Sequence, residues 1–361
     1  MVNKCKNIVL VSLSSAGTEG HLSVIKNLFG HFKNKGFYPI VISESDYAGF
    51  FPPECFLKLK QVGNKSELSL GGAIDSTYDL QLARFLNQIK PKIVIFETFF
   101  NPSLIKNIKY PCYFVGCKFR DTHQELFFKK RFFSLFKKVY FMEEAFEVFK
   151  TKEVLLRIDK VFKNVYYCLP ILSISDEKLS VSKREKIIVT CGGGGLHSAN
   201  KILLTANEVL YNMNLGIHSE VTYITGLFNQ NQHELLLSRK SRQYTHIKDL
   251  SKDFKKSYLV ISEAGYNTVN ELVATDTPAL LIPGFRALDN QELRAINSDI
   301  FGFDLIFPEY LKPDCFKKKI KTLFKRKLSN SNRLAVSKFL FKGKNILFES
   351  LRAEADKQIE R

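Results

Sequence analysis

Two groups of residues in this chain have types and spacings that could do chemistry, and each follows a short apolar run. One is an unbroken run of four glycines, Gly192 to Gly195, directly after Ile187–Cys191 and just before Leu196-His197-Ser198. Bare glycines let backbone N–H groups approach a ligand closely, and a helix opening after them adds partial positive charge. Together these bind phosphate without a metal. The run is neither a dinucleotide fingerprint nor a P-loop, because no Lys-Ser/Thr follows. The other group is Ser14-Ser15-Ala16-Gly17-Thr18-Glu19-Gly20-His21, directly after Ile8–Leu13. An imidazole titrating near neutrality can take a proton from a hydroxyl. Taken alone, His21 reads equally well as a helix-start histidine bonded to backbone. Histidines 31, 123, 197, 218, 233 and 246 lack mutual ligand spacing, and no Asp-x-Asp stands where a metal would bridge a diphosphate, so no metal is expected. No Ser/His/Asp or Cys/His nucleophile arrangement is indicated.

Short apolar runs alternate with longer amphipathic stretches. Ile8–Leu13, Tyr38–Ile42, Lys92–Glu97, Cys112–Gly116 and Val139–Met142 read as strands, and His21–Lys33 as a helix. After the polar stretch Ser173–Lys186 the alternation restarts with Ile187–Cys191, Val221–Thr225, Tyr244–Ile247, Tyr258–Ser262 and Ala279–Pro283. Strands of this kind between helices form parallel sheets covered on both faces. The pattern predicts an α/β protein of two Rossmann-like, doubly wound domains, 1–172 and 173–335. A helical tail, 336–361, is expected to pack over their junction. In such sheets ligands sit beyond the carboxyl ends of the strands, where strand order reverses. Two sheets facing each other make one cleft.

A length of 361 residues suits two cores of about 150–200 residues each. With 45% hydrophobic and 25% charged residues, a largely disordered or low-complexity chain is excluded. No apolar run approaches the ~18–20 residues of a membrane span, and Ile8–Leu13 is a buried strand, not a signal peptide. Seven cysteines without paired spacing read as reduced thiols of a cytoplasmic protein. The formal charge of +18 permits an anionic partner but is spread over both halves. Phe127–Lys138 interleaves five basic residues with five Phe. It reads either as an amphipathic helix with Phe to the core, or as a contact with anionic lipid through inserted Phe.

The most specific stretch is Val260–Ala295. It resembles the nucleotide-sugar signature of GT-B glycosyltransferases related to the peptidoglycan enzyme that makes lipid II. That signature runs Ser-x-x-Gly-x-x-Thr-x-x-Glu, then Pro, then a polar pair with Gln; here stand Ser262, Gly265, Thr268, Glu271, Pro278, Asn290 and Gln291. The resemblance implies a donor side made of Gly193, Gly194, Gly195, Ile247, Gly265, Asn267, Thr268, Glu271, Asn290 and Gln291. Within it Glu271 would hold the ribose hydroxyls of a uridine nucleotide, and Asn290 and Gln291 the sugar. Accepting two hydrogen bonds from a vicinal diol suits a carboxylate.

The first glycine loop is similar to the family's Gly-rich loop ending in Gly-His. That similarity makes His21 the catalytic base, with Glu19, which replaces the usual Gly, able to orient it. Gly17, Thr18 and Gly20 then line the acceptor side. Phe96-Glu97-Thr98 and Lys118-Phe119-Arg120-Asp121 resemble a little-characterised branch of the superfamily and add Glu97, Arg120 and Asp121 to that side. For Arg120 and Asp121 an ordinary surface ion pair is an equally good reading. The resemblance thus implies an inverting, metal-independent hexosyl transfer from a nucleoside diphosphate sugar, with no further cofactor. The acceptor would be a glycan or lipid-linked intermediate at the inner face of a membrane. A nucleotide-sugar hydrolase of the same fold is the alternative. A basic nucleic-acid-associated protein, DNA glycosylation included, ranks last because no nucleic-acid motif appears.

Overall fold

The computed structural model describes residues 7–13, 19–44, 48–59, 76–151, 156–172, 184–192, 197–215, 219–226, 235–247, 250–286, 289–325 and 329–359 (backbone alone at 19, 48, 76–81, 197–198 and 342–344). In the first part of the chain, strands are β1 (Asn7–Ser12), β2 (Tyr38–Ser43), β3 (Phe56–Lys58), β4 (Ile93–Glu97), β5 (Cys112–Cys117), β6 (Lys138–Met142), β7 (Arg157–Ile158) and β8 (Val165–Cys168). Helices are α1 (Glu19–Asn34), α2 (Ser76–Ile89), α3 (Pro102–Asn107), α4 (Asp121–Lys129) and α5 (Ala145–Thr151). The second part holds β9 (Lys186–Thr190), β10 (Glu220–Ile224), β11 (Ser241–Tyr244), β12 (Ser257–Glu263), β13 (Ala279–Ile282) and β14 (Asp304–Leu305). Its helices are α6 (His197–Asn212), α7 (Leu250–Lys255), α8 (Tyr266–Ala274), α9 (Gln291–Asn297), α10 (Pro313–Lys325) and α11 (Ser331–Lys357).

The first sheet has the order β3-β2-β1-β4-β5-β6-β8-β7 and the second β11-β10-β9-β12-β13-β14. All pairings are parallel except β7 with β8. Strand order reverses between β1 and β4 in one sheet and between β9 and β12 in the other, the places where such sheets bind ligands. The central strands are buried along nearly their whole length, β4 at every residue from Ile93 to Glu97. Apolar cores lie on both faces of each sheet. This is why Val- and Ile-rich runs without alternation mark these strands in the sequence.

The tail does more than pack over the junction. Val336, Leu340 and Phe341 of α11 enter the second domain's core, while Leu347, Phe348, Leu351 and Ala355 enter the first. One helix therefore spans both cores, starting at Ser331, five residues before the expected boundary. At its start, buried Arg333 bonds Asp276 Oδ1 through Nε at 2.7 Å and the Phe301 carbonyl through Nη1 at 2.7 Å. Packing also crosses the expected limit at residue 172: Ala145, Phe146, Val148, Leu169 and Leu172 belong to the second core.

Two expectations need correction. Residues 127–138 are not one helix; α4 ends at Lys129, a 3-10 turn covers Phe132–Leu135, and β6 begins at Lys138. Phe127, Phe133 and Phe136 are buried in a core cluster against which Phe128 and Phe132 also pack. Three of the five rings are therefore buried and the other two half-buried, so most of this apolar surface faces the core. The strand expected at Tyr244–Ile247 lies at Ser241–Tyr244, an edge strand whose Arg242, Gln243 and Tyr244 are exposed and so carry no apolar signal.

Candidate active site

At the edge of the first sheet, His21 in the opening turn of α1 faces the last residue of β4. Its Nδ1 lies 2.8 Å from both carboxylate oxygens of Glu97. Register places Glu97 beside Ser12, the last residue of β1. The Ser12 hydroxyl donates to Glu97 Oε2 at 3.4 Å and the Thr98 hydroxyl to Oε1 at 2.6 Å. Thr98 reaches it from a left-handed backbone, φ +55°, a conformation a β-branched residue adopts only when its surroundings demand it. Gly116 on β5 makes room: a Cβ there would stand 3.1 Å from Thr98 Oγ1 and 2.9 Å from the Phe114 ring. Glu97 is 1% exposed and His21 19%. Burial by itself lowers the imidazole pKa, but the charge and hydrogen bond of Glu97 outweigh it, so the pKa of His21 is raised. With Nδ1–H committed to the carboxylate, proton exchange falls to Nε2.

The corresponding edge of the second sheet carries the signature residues. Register pairs Thr190 of β9 with Ser262 of β12, so Cys191-Gly192 emerges beside the turn that starts α8. Gly192 has φ +58°, which a glycine adopts without strain. Glu271 is buried on α8. Gln291 is buried and its Oε1 accepts from the Gly284 N–H at 2.8 Å. Glu263, the last residue of β12, is buried and pairs with Arg286 at 2.8 Å.

Several contacts hold the two edges face to face. Asn267 on α8 donates through Nδ2 to the carbonyl of Gly20 at 2.9 Å, the residue before the candidate base. The Tyr266 hydroxyl donates to the Glu143 carbonyl, and the Ala145 N–H donates to Asn270 Oδ1. Arg120 Nε donates to the Asp289 carbonyl at 3.1 Å, and its guanidinium lies 5.0 Å from the Phe285 ring. Buried Arg294 binds Glu144 from the first part of the chain and Asp289 from the second. Asp289 and Arg286 both act electrostatically on His21, one raising and one lowering its pKa.

Residues 186–342 match the glycosyltransferase family 28 C-terminal domain. Over 143 residues the chain is 29% identical to the UDP-N-acetylglucosamine–N-acetylmuramyl-(pentapeptide) pyrophosphoryl-undecaprenol N-acetylglucosamine transferase of Prochlorococcus marinus (strain MIT 9515), 39% of this chain and 38% of that protein. A second Prochlorococcus marinus homologue, of subsp. pastoris, is 31% identical over 147 residues. The chain therefore aligns with under two-fifths of the length of these curated relatives. Solved structures match along nearly its whole length. Acinetobacter baumannii MurG covers 96% of this chain and 99% of its own, with TM-score 0.63 and 14% identity. Spinosyn forosaminyltransferase SpnP matches with TM-score 0.69 and 11% identity, over 96% of this chain and 99% of its own. The fold is GT-B, and the chain is related to the lipid II-forming transferases.

Within the matched segment, Gly265 starts α8 and Thr268 lies in its first turn, the Thr268 hydroxyl 3.7 Å from where a Gly265 Cβ would stand. Asn290 accepts from the Leu293 N–H at 3.1 Å as the N-cap of α9. Ile247 packs half-buried against the second core. Asp121 is exposed at the start of α4, while Arg120 reaches across the cleft to the Asp289 carbonyl. Gly17, Thr18, Gly193, Gly194 and Gly195 lie outside the described residues, and of Glu19 only the backbone, in α1, is described. The carboxylate on His21 is that of Glu97, assigned from sequence to the acceptor side. Sequence reasoning missed Thr98, Glu263, Arg286 and the Glu144–Arg294–Asp289 cluster. One signal was available: both halves end an equivalent strand in a glutamate, Phe96-Glu97 and Ser262-Glu263.

Proposed function

We propose that the chain transfers a sugar from a nucleoside diphosphate donor, UDP-linked, to an acceptor hydroxyl, with inversion and without a metal. The observation that carries this reading is the His21–Glu97 pair on one sheet edge, bridged through Gly20 and Asn267 to the helix that bears Glu271. His21 Nε2 takes the acceptor proton as the acceptor oxygen bonds to the anomeric carbon. The bond from that carbon to the diphosphate breaks, and the nucleoside diphosphate leaves with its electron pair. Glu97 keeps the imidazole oriented and stabilises the imidazolium that forms. Glu271 holds the ribose, and the amides of Gly192–Gly195 neutralise the departing phosphates. Gln291 contacts the sugar through its amide N–H, since its oxygen is taken by Gly284.

The donor class is supported by the name of the Prochlorococcus relatives, which take UDP-N-acetylglucosamine. One structural neighbour, SpnG, was solved with thymidine diphosphate, so dTDP-sugars belong in the same panel. A lipid-linked or glycan acceptor is supported by the activity those relatives are named for, and an association with the inner membrane face would follow from such an acceptor. Among the described residues no helix is long and apolar enough to cross a membrane. The test is nucleotide release from a panel of UDP- and dTDP-sugars, with and without acceptor. Release that depends on acceptor and on one nucleotide supports transfer. Release at the same rate without acceptor identifies a hydrolase, and no release from any donor sinks the proposal.

A further inference from the structure

Arg286 stands between the two sheet edges with no part in the chemistry so far. It lies in the loop after β13, two residues beyond Gly284. A Cβ at Gly284 would stand 3.0 Å from Glu263 Oε1 and 3.3 Å from Gln291 Oε1, so glycine is what lets this loop run close over the end of β12. Arg286 Nη2 donates to Glu263 Oε2 at 2.8 Å. Among the described residues that is the guanidinium's one hydrogen bond, and the side chain is 22% exposed. Its charge acts on His21 from one side of the cleft and on Cys191, the residue before Gly192, from the other.

We infer that Arg286 is the cation that receives the donor's diphosphate, and that Glu263 is the residue that positions it. This rests on the nucleotide-sugar reading of the cleft. A displacement at the anomeric carbon gathers negative charge on the leaving diphosphate, and a permanently charged planar fork matches two phosphate oxygens at once. Glu263 is buried and fixed at a strand end, so the Nη2 bond holds the guanidinium plane while Nε and Nη1 remain to donate outward. Gln291 is tied to the same loop through Gly284, which couples the sugar contact to the phosphate contact.

The test is calorimetric binding of uridine, UMP and UDP to the full-length wild-type protein and to R286Q, R286K and E263Q. The wild type should gain affinity from UMP to UDP. R286Q should bind UDP about 10- to 100-fold more weakly while uridine affinity stays within about twofold. R286K should retain part of the UDP gain, and E263Q should lose part of it with uridine unchanged. Should R286Q keep the wild-type UDP-to-UMP ratio, the assignment of Arg286 is wrong and the nucleotide reading survives. An equal loss of all three ligands would make Arg286 a structural residue and overturn the assignment too. No binding of any ligand by the wild type overturns both.

Discussion

Glu97 and Glu263 end equivalent strands, β4 and β12, of two sheets with the same central order, and both carboxylates are buried. One receives an imidazole and the other a guanidinium. The scaffold, the strand end and the acid are the same, so the partner alone decides what each edge can do. An imidazole whose pKa is raised by its carboxylate can gain and lose a proton near neutral pH. A guanidinium in the same position stays charged and can only attract. On the proposed function the labour divides between them: the first domain's edge would handle the proton, and the second domain's edge would hold the anion.

The largest effect that should separate the two edges is His21→Ala. It should lower kcat by about 10²- to 10⁴-fold with UDP affinity unchanged, measured as acceptor-dependent UDP release beside calorimetry. Loss of UDP affinity in that variant would break the division. Next comes the helix that joins the domains. Asp276→Ala removes the carboxylate that accepts from buried Arg333 Nε and also the acceptors used by Ser329 and the Asn330 N–H. It should cost about 3–5 kcal/mol in denaturant unfolding and weaken both edges together.

Glu97→Gln should reduce kcat by about ten- to a hundredfold, part of the ~10²–10⁴ that a positioned base supplies, and should change its pH dependence. With neutral His21 as the proposed base, rate should rise with pH through the raised imidazole pKa. Removing the carboxylate should move that limb to lower pH. The linked stability term has the opposite profile. A raised folded-state pKa stabilises the fold fully below the ordinary imidazole value, and that contribution fades as pH rises through the raised one. The smallest effect is Asn267→Ala, which removes one exposed bond to Gly20 and should cost about 0.5–1.5 kcal/mol by thermal or denaturant unfolding.

The sequence already displayed the two sheets, because their inner strands are buried on both faces and show as continuous apolar runs. It also displayed the signature from Ser262 to Gln291, which is local and fixed in spacing. What it hid is what depends on distance along the chain or on exposure. Glu97 and His21 are 76 residues apart, and no local pattern says that they touch. Edge strand β11 was misplaced because its residues face water. Residues 127–138 looked like a single basic helix because the turn at Arg131, with φ +55°, carries neither Gly nor Pro to mark it. That the Asn290 oxygen caps α9 is likewise not marked by the pattern, since Asn suits a cap and a ligand contact equally.

The claim underlying both edges is that one activated-sugar ligand lies across this cleft with its nucleoside on Glu271. Calorimetric titration of UDP into the wild type and into Glu271→Ala tests that most directly. We expect saturable binding by the wild type and a loss of about 10- to 100-fold in the variant, the worth of hydrogen bonds to a charged group. Binding of equal strength by both proteins, or by neither, would contradict it.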